Sequence, residues 1–546
     1  MTKISDETNI EKIEHKSKKN IALGTIIGYL AILVSIAHGF FLTTKVMTSV
    51  GVDNYGLYGI ATSLVSLFLL DFGLSTTSET YLAKLRAKGD KKGVEKFLAS
   101  IFKFYLLIDA VLLVVLVVLY FASPYIYRSS YSPEQLKVLQ LLIVIVGGYT
   151  LVSFPSTSFF SAIQTYEKFG FNKTADLVQK VIYFVLTILT IKYNGGVIGI
   201  TAVNAGSMLI AVVMRFLFMR YYLGVRLDLK LKLDKKDLKQ VFTFSAWGLI
   251  MAIFSRLAYY FSPNILGMVS SNDQVSMFML VNTIETYVCT FGAMTGYFFM
   301  AKVARVEASG SEEEKRVKLQ LLAEKVGKVQ FFVIALIYFG FLVVGQNFLQ
   351  IWIKDQLVTN PDFKNIYWCI IIMCSYELIR IPELPLQNAM LTRGEIKPLA
   401  IVVLIKAIVN LGLSFALSYF HGAVGAAIAV GAARILETIL NNYCYKKYLG
   451  ISITRFITKV YTGGAICITT IVILLKKFDD LVPLNSTGWQ LVIKGFLFVI
   501  LFTTSYMLVS FNKEERKYYV GVVMEILHIK KKAKPVEIEE KKDEQN

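Results

Sequence analysis

The sequence predicts an all-α integral membrane protein of about fourteen transmembrane helices. Two six-helix lobes should be related by a pseudo-twofold axis along the membrane normal and followed by two C-terminal helices. Three observations lead there. Of the 546 residues, 55% are hydrophobic and only 18% charged, and the mean hydropathy is +0.56, outside the usual range of water-soluble domains. The apolar residues gather in runs long enough to cross the hydrocarbon layer as helices, which takes about 20 residues because every backbone amide must be satisfied within the segment. The order and spacing of those runs then recur in the second half of the chain.

The N-terminal segment, 1–20, is polar and charged, unlike a cleaved signal peptide, and is expected to stay in the cytoplasm. Apolar runs near 21–46, 55–80, 98–121, 138–163, 172–193 and 195–219 make a first lobe, 21–219. The cationic stretch 220–239 is its linker to a second lobe, 240–443. That lobe holds runs near 240–262, 275–301, 328–353, 365–390, 397–420 and 422–443. Runs near 456–475 and 488–510 supply the last two spans, within 456–510. The remainder, 511–546, has no apolar periodicity and reads as a cytoplasmic charged tail. Two pairs of runs are parted only by "YNGG" and "FHG", and glycine at both joints favours a break over one long helix.

Lys and Arg set the orientation, because cationic loops resist translocation. With the N-terminus inside, the inner segments carry roughly 42 of them and the outer loops about 7, with the same sign of imbalance along the whole chain. Both termini are therefore expected in the cytoplasm, and the chain in the cytoplasmic membrane of a bacterium.

The net charge of +19 follows from this asymmetry and suits anionic lipid head groups, so no nucleic-acid partner is expected. The five cysteines, Cys289, Cys369, Cys374, Cys444 and Cys467, form no CxxC pair or Cys/His cluster, so no metal or disulfide site is expected. Of the four histidines only His38 falls deep in a run. Phosphate-binding and nucleophile-elbow motifs are missing, which argues against ATP as direct energy source and against any cofactor.

The internal repeat is carried by punctuation more than by identity. A shift of about 219 lays "VMTSVGVDNYGLYGIATSLVSLF" over "ILGMVSSNDQVSMFMLVNTIETY" and Phe72-Gly73 over Phe291-Gly292. A shift of about 227 brings Pro155, Ala162, Thr165, Gly195 and Val197 onto Pro382, Ala389, Thr392, Gly422 and Val424. Six spans per repeat is an even number, so the two copies share one orientation.

With this organisation in hand, "GVDNYGLYG", "LLDFGLSTTSE" and "FPSTSFFSAIQTYEKFGFNKT" resemble the multidrug/oligosaccharidyl-lipid/polysaccharide exporter superfamily, as does "ELPLQNAMLTRGEIKP" in the second half. The two extra C-terminal spans and the "YGLYG…LLDFGLS" pattern look like its polysaccharide branch, the flippases of lipid-linked oligosaccharides. The resemblance covers roughly residues 20 to 510. It implies a V-shaped pair of lobes exposing a central cavity to either face in turn, with a lipid-linked oligosaccharide and membrane lipids as partners. Polysaccharide-assembly proteins are candidate further partners.

Ten charges fall deep inside the runs: Lys180, Arg256, Arg380, Lys406, Arg434, Asp71, Asp109, Glu285, Glu377 and Glu437. At a helix centre each costs roughly 2.5 to 3.5 kcal/mol on insertion scales, so they must face a wet or paired interior. Glu377 with Arg380, and Arg434 with Glu437, stand at i,i+3 and are expected to neutralise each other as structural ion pairs. Lys45, Lys103, Arg215 and Lys494 lie nearer helix ends and are expected to snorkel. Arg256 and Lys406 then lack a local partner, and Lys180 has only Asp176 at i,i+4; these three cations are the candidate substrate contacts, suited to a diphosphate-linked sugar. Transport against a gradient without ATP needs a coupled ion, so Asp71, Asp109 and Glu285 are candidate proton or sodium sites. For Asp71 a helix-packing hydrogen bond beside Gly73 serves equally well. Deep anions about balance deep cations, so composition does not establish an electropositive cavity.

Three functions compete. Lipid-linked oligosaccharide export fits the span count, the repeat and the signature. A multidrug exporter of the same superfamily would share the duplication but suits organic cations, which uncompensated Lys and Arg disfavour. A membrane-embedded polymerase or transferase would need a sizeable outer loop or a catalytic constellation, whereas the longest outer loop is about fifteen residues, near 122–137. The orientation has a direct test in a variant lacking the native cysteines: in intact cells, cysteine at Asp53 or Asn272 should react with an impermeant thiol reagent, and cysteine at Lys235 should not. Labelling at Lys235 with silence at Asp53 would invert the topology.

Overall fold

The structure is a computed structural model that describes residues 30, 33–37, 39–68, 82, 85–86, 89–166, 168–227, 246–307, 311–481, 487–517 and 521. Asp71, His38, the 1–20 segment, most of the 220–239 linker and most of the charged tail lie outside the described residues. Within them the regular structure is helical: α1 (Leu33–Val50), α2 (Val52–Phe68), α3 (Lys91–Ile126), α4 (Pro133–Ser153), α5 (Thr157–Thr165), α6 (Phe169–Lys192) and α7 (Gly196–Leu217) come first. After them come α8 (Ala246–Tyr260), α9 (Ser262–Val269), α10 (Asn272–Glu307), α11 (Glu312–Trp352), α12 (Lys354–Thr359), α13 (Ile366–Ser375), α14 (Glu377–Thr392), α15 (Ile396–Cys444), α16 (Ile453–Leu481) and α17 (Thr487–Ser510). Among the described residues, eight helical segments are long and apolar enough to cross a membrane: α1, α3, α4 with α5, α6, α7 with the π turn after it, α11, α15 with its own π turn, and α17. The chain is a multi-pass membrane protein.

Local chemistry places the helix ends. Ser132 accepts from the Gln135 amide at 3.3 Å while the Gln135 side chain accepts from the Ser132 amide at 2.9 Å, a reciprocal cap that starts α4 with Pro133 at its first position. Asp90 caps α3 by accepting from the Gly93 amide at 2.8 Å. The "YNGG" joint is a real break, since Asn194 and Gly196 both take positive φ between α6 and α7. The "FHG" joint is a break as well: Gly422, at φ 54, ψ −135, is non-helical and parts two helices that are numbered together here as α15. The helix that restarts there leaves its first amides without intrahelical acceptors, and Gln274 of α10 answers one: its Oε1 accepts from the Ala423 amide at 2.7 Å.

The described chain divides into two compact units. One contains the described residues up to Tyr287, with Trp352–Tyr376 and Gly394–Cys444. Here α2 packs on α4, α8 and α9, while α15 packs on α8, α9 and α13. Close approach of α2 to α10 and α9 depends on small residues: a Cβ added at Gly56 would stand 2.8 Å from the Asn272 carbonyl oxygen. Beside that seam the fully buried Asn264 of α9 donates to Ser63 of α2 at 3.1 Å and accepts from Tyr127, just after α3, at 3.2 Å. One amide thus ties three segments together where no water could replace it.

The second unit holds Val288–Ile351, Glu377–Arg393 and the described residues from Tyr445 onward. In it α16 packs on α17, and α11 receives both ends of the pair. Gln320 accepts from the Ser452 amide at 2.8 Å, Arg455 bonds Glu324 at 2.9 Å, and Tyr506 donates to the Lys328 carbonyl at 2.9 Å. Lys494, expected to snorkel, is instead buried in α17.

Gly56→Val should cost about 1–3 kcal/mol, because backbone cannot yield to the added atoms as a side-chain tip could. Thermal denaturation in detergent should register it as a lower midpoint. Gly148→Val, in α4 where an added Cβ meets nothing within 4 Å, is the matched control and should leave the midpoint unchanged.

Candidate functional site

The deep charges of the second half converge because α15 bends. Lys406 lies before Gly422 and Glu437 after it, so the fold-back at the glycine brings the two halves side by side, and Lys406 Nζ donates to Glu437 Oε1 at 2.9 Å. The other oxygen of Glu437 accepts from the Tyr376 hydroxyl at 2.6 Å. One turn earlier on the same helix, Arg434 donates to Glu285 of α10 at 2.6 Å and to the Met373 carbonyl of α13 at 2.9 Å, and its guanidinium lies 5.3 Å from the centre of the Tyr376 ring. Glu285 is 1% exposed. The result is a chain of five side chains, Lys406, Glu437, Tyr376, Arg434 and Glu285, linking α15, α13 and α10.

This corrects two expectations. Arg434 and Glu437 do not neutralise each other along one helix, and Lys406 does have a carboxylate partner. The reason is charge economy: an i,i+3 pair would leave Lys406 and Glu285 each alone in a low-dielectric interior, whereas crossed pairs between helix segments neutralise all four. Glu285, a candidate ion site, holds a guanidinium on one oxygen, and its second oxygen is buried without a hydrogen bond among the described residues. Tyr376 is the member that sequence reading missed; no spacing rule marks a tyrosine between two apolar helices as a bridge.

In the other unit Glu377 and Arg380 of α14 do pair, as their spacing suggests. Both Nε and Nη2 of Arg380 reach Glu377 Oε2, at 2.9 and 2.7 Å, and Nη2 also donates to Cys289 Sγ at 3.0 Å. Glu377 is 2% exposed, so Arg380 is what makes its charge tolerable there.

The remaining candidates belong to the first unit. Lys180 of α6 hydrogen-bonds Ser35 of α1. Asp176, expected beside Lys180, is ion-paired with Arg215 of α7, so Arg215 is a pairing residue and does not simply snorkel. Arg256 of α8 donates to the Ser66 carbonyl at 3.2 Å and lies 5.3 Å from the centre of the Tyr260 ring. Among the described residues no carboxylate comes within ion-pair distance of it. Asp109 of α3 is its mirror in sign: the residue is buried, and neither carboxylate oxygen has a hydrogen-bond partner among the described residues.

The long-helix fold is one shared by solved structures of transporters. The lipid II flippase MurJ in an inward closed conformation superposes with a TM-score of 0.68 at 15% identity, covering 88% of this chain and 98% of that one. An inward-facing multidrug resistance MATE family transporter of the MOP superfamily gives 0.61 at 12%, covering 77% and 98%. The Vibrio cholerae MATE transporter VcmN in the bent form gives 0.51 at 12%, covering 80% and 98%. At such identities the likeness is one of fold. No curated protein matches the chain. The sequence profile of the family described as polysaccharide biosynthesis protein matches residues 18–296, more than half of the chain, and the chain belongs to that family.

Arg380→Gln should lower the amount of protein recovered from membranes, because Glu377 is left charged and buried; the Glu377→Gln, Arg380→Gln double variant should regain most of it. Immunoblots of membrane fractions measure both.

Proposed function

We propose that this protein is a flippase that moves a lipid-linked oligosaccharide, the repeat unit of a polysaccharide, across the cytoplasmic membrane of a bacterium by ion-coupled alternating access between lobes 21–219 and 240–443. Membership of the polysaccharide biosynthesis family and the transporter-like fold support the class. The observation that carries the substrate is Arg256. Its guanidinium donates to one carbonyl and lies beside an aromatic ring, and no described carboxylate neutralises it. A residual positive charge in a helix of the membrane interior favours an anionic group, such as the diphosphate that joins sugar to lipid. Lys180 and Lys406 are the companion contacts in this reading, and Asp109, a buried carboxylate with no described partner, is the leading coupling site alongside Glu285 and Asp71.

The alternative, an organic-cation exporter, would need carboxylates facing its cleft without cations. Glu285, Glu377 and Glu437 each hold a cation, which disfavours it, and Asp109 is the described deep carboxylate that does not. The seam at Gly56 and Asn264 has a role here too. With both termini cytoplasmic, the 51–54 turn faces outside, and the close packing there supports a state sealed on the outer side.

Arg256→Gln should leave the protein in the membrane and abolish polymer export, since it strands no carboxylate. Lys406→Gln should abolish export with some loss of protein, because Glu437 loses its cation; Lys406→Gln with Glu437→Gln should restore abundance and leave export absent. Surface polysaccharide measured against membrane protein level separates these effects. Normal export by Arg256→Gln and by the Lys406 double variant would remove the cationic contacts from the reading.

A further inference from the structure

The two ion pairs of the five-residue chain are not equivalent. Arg434 is held by three fixed contacts: Glu285, the Met373 carbonyl and the face of Tyr376. With Glu285 at 1% exposure, that pair is a strut, because withdrawing either partner would strand a charge sealed from water. Lys406 is different. An ammonium has three N–H donors, and among the described residues only Glu437 accepts one of them. The side chain is 17% exposed. Glu437 in turn has one cation, Lys406, and one neutral partner, the Tyr376 hydroxyl.

We propose that Lys406 and Glu437 form a coupled anion-and-proton site: an oxygen of a phosphate or diphosphate binds the open donors of Lys406, and Glu437 takes up one proton as it arrives. The proposal rests on the anionic-substrate reading and adds a coupling residue to it. Two anions cannot both stay ionised around one ammonium in a low-dielectric setting, and the proposal places the relieving proton on Glu437, since the diphosphate diester of a lipid-linked sugar is a weaker base than a carboxylate. The balance is simple. One proton from solvent joins the Glu437 carboxylate, one negative charge of the ligand replaces it beside Lys406, and departure of the ligand returns the proton. No described group competes for that role. Of the elements packed on α15, α9 brings no ionisable side chain, α13 brings Tyr367, Cys369 and Cys374, and α8 brings Arg256, Tyr259 and Tyr260. On α15 itself Arg434 is already held by Glu285 of α10.

The test is calorimetry on the full chain in lipid nanodiscs, titrated with geranyl diphosphate in two buffers of different ionisation enthalpy, which counts protons exchanged on binding. Glu437→Gln is the reference that cancels the titration of the probe itself. Wild type should take up about one proton more per probe than this variant, and its affinity should strengthen by up to roughly tenfold per pH unit lowered relative to the variant. Inorganic pyrophosphate distinguishes a lipid-borne anion from a free one: the proton count should match, with binding weaker for want of the chain. Pyrophosphate binding as tight as geranyl diphosphate would assign the site to free anions and overturn the lipid-borne source. Should Glu437→Gln fail to fold, Tyr376→Phe serves instead, since losing the hydroxyl that supports the charged carboxylate should extend proton uptake to higher pH. Equal proton uptake by wild type and Glu437→Gln, or an unmoved profile in Tyr376→Phe, would overturn the coupled proton uptake while leaving the anionic substrate standing. Absence of binding by wild type at every pH would overturn both.

Discussion

A charge inside a membrane-crossing helix has to be neutralised by a neighbour, and the second half of this chain is arranged around that requirement. Lys406 and Glu437 lie on the two helices that Gly422 parts, and they meet because Gly422 adopts a positive φ that the helix on either side does not share. The bend in turn creates unsatisfied amides, which Gln274 reaches from α10. The same helix, α10, delivers Glu285 to Arg434. Backbone geometry at a single glycine and the pairing of four charges are thus one construction, in which neither half is stable without the other.

Much of this organisation is written in the sequence. Apolar runs mark where the long helices lie, and the two glycine joints mark where the chain turns, because both signals are local and follow from hydrogen bonding within a few residues. Proline was the less legible punctuation. The run read as one span at 138–163 is broken between α4 and α5 around Pro155, which cannot donate to a helix. In contrast Pro382 and Pro385 sit inside α14, where the interruption falls earlier, at Tyr376. A proline removes one hydrogen bond wherever it stands; whether the helix breaks there depends on neighbours that the local sequence does not name.

Charge pairing was legible in part for the same physical reason. Glu377 and Arg380 meet because nothing on another helix outbids the adjacent turn. Arg434 and Glu437 have the same spacing and opposite order, and each finds a partner elsewhere in the fold. Asp176 repeats the lesson by turning to Arg215, thirty-nine residues away, and not to Lys180 on its own helix. An i,i+3 or i,i+4 rule reports which groups can reach each other along one helix. It carries no information about which other charges would be stranded if they did, and in a low dielectric that second term decides.

Arg256 and Asp109 separate two requirements that usually coincide. A buried polar group needs hydrogen-bond partners, and a buried charge needs a counter-charge. Arg256 meets the first need in part, through one carbonyl, with an aromatic face beside it, and leaves the second open among the described residues. Its guanidinium cannot escape by losing a proton, since its affinity for one is too high. A carboxylate has that escape, which is why Asp109 can stand without any described hydrogen bond where an arginine could not. The two residues therefore call for different occupants: a permanent cation waits for an anion, and a carboxylate of variable charge waits for a proton. The proposed flippase would use both kinds of unmet charge, and Arg256 and Asp109 would supply one of each.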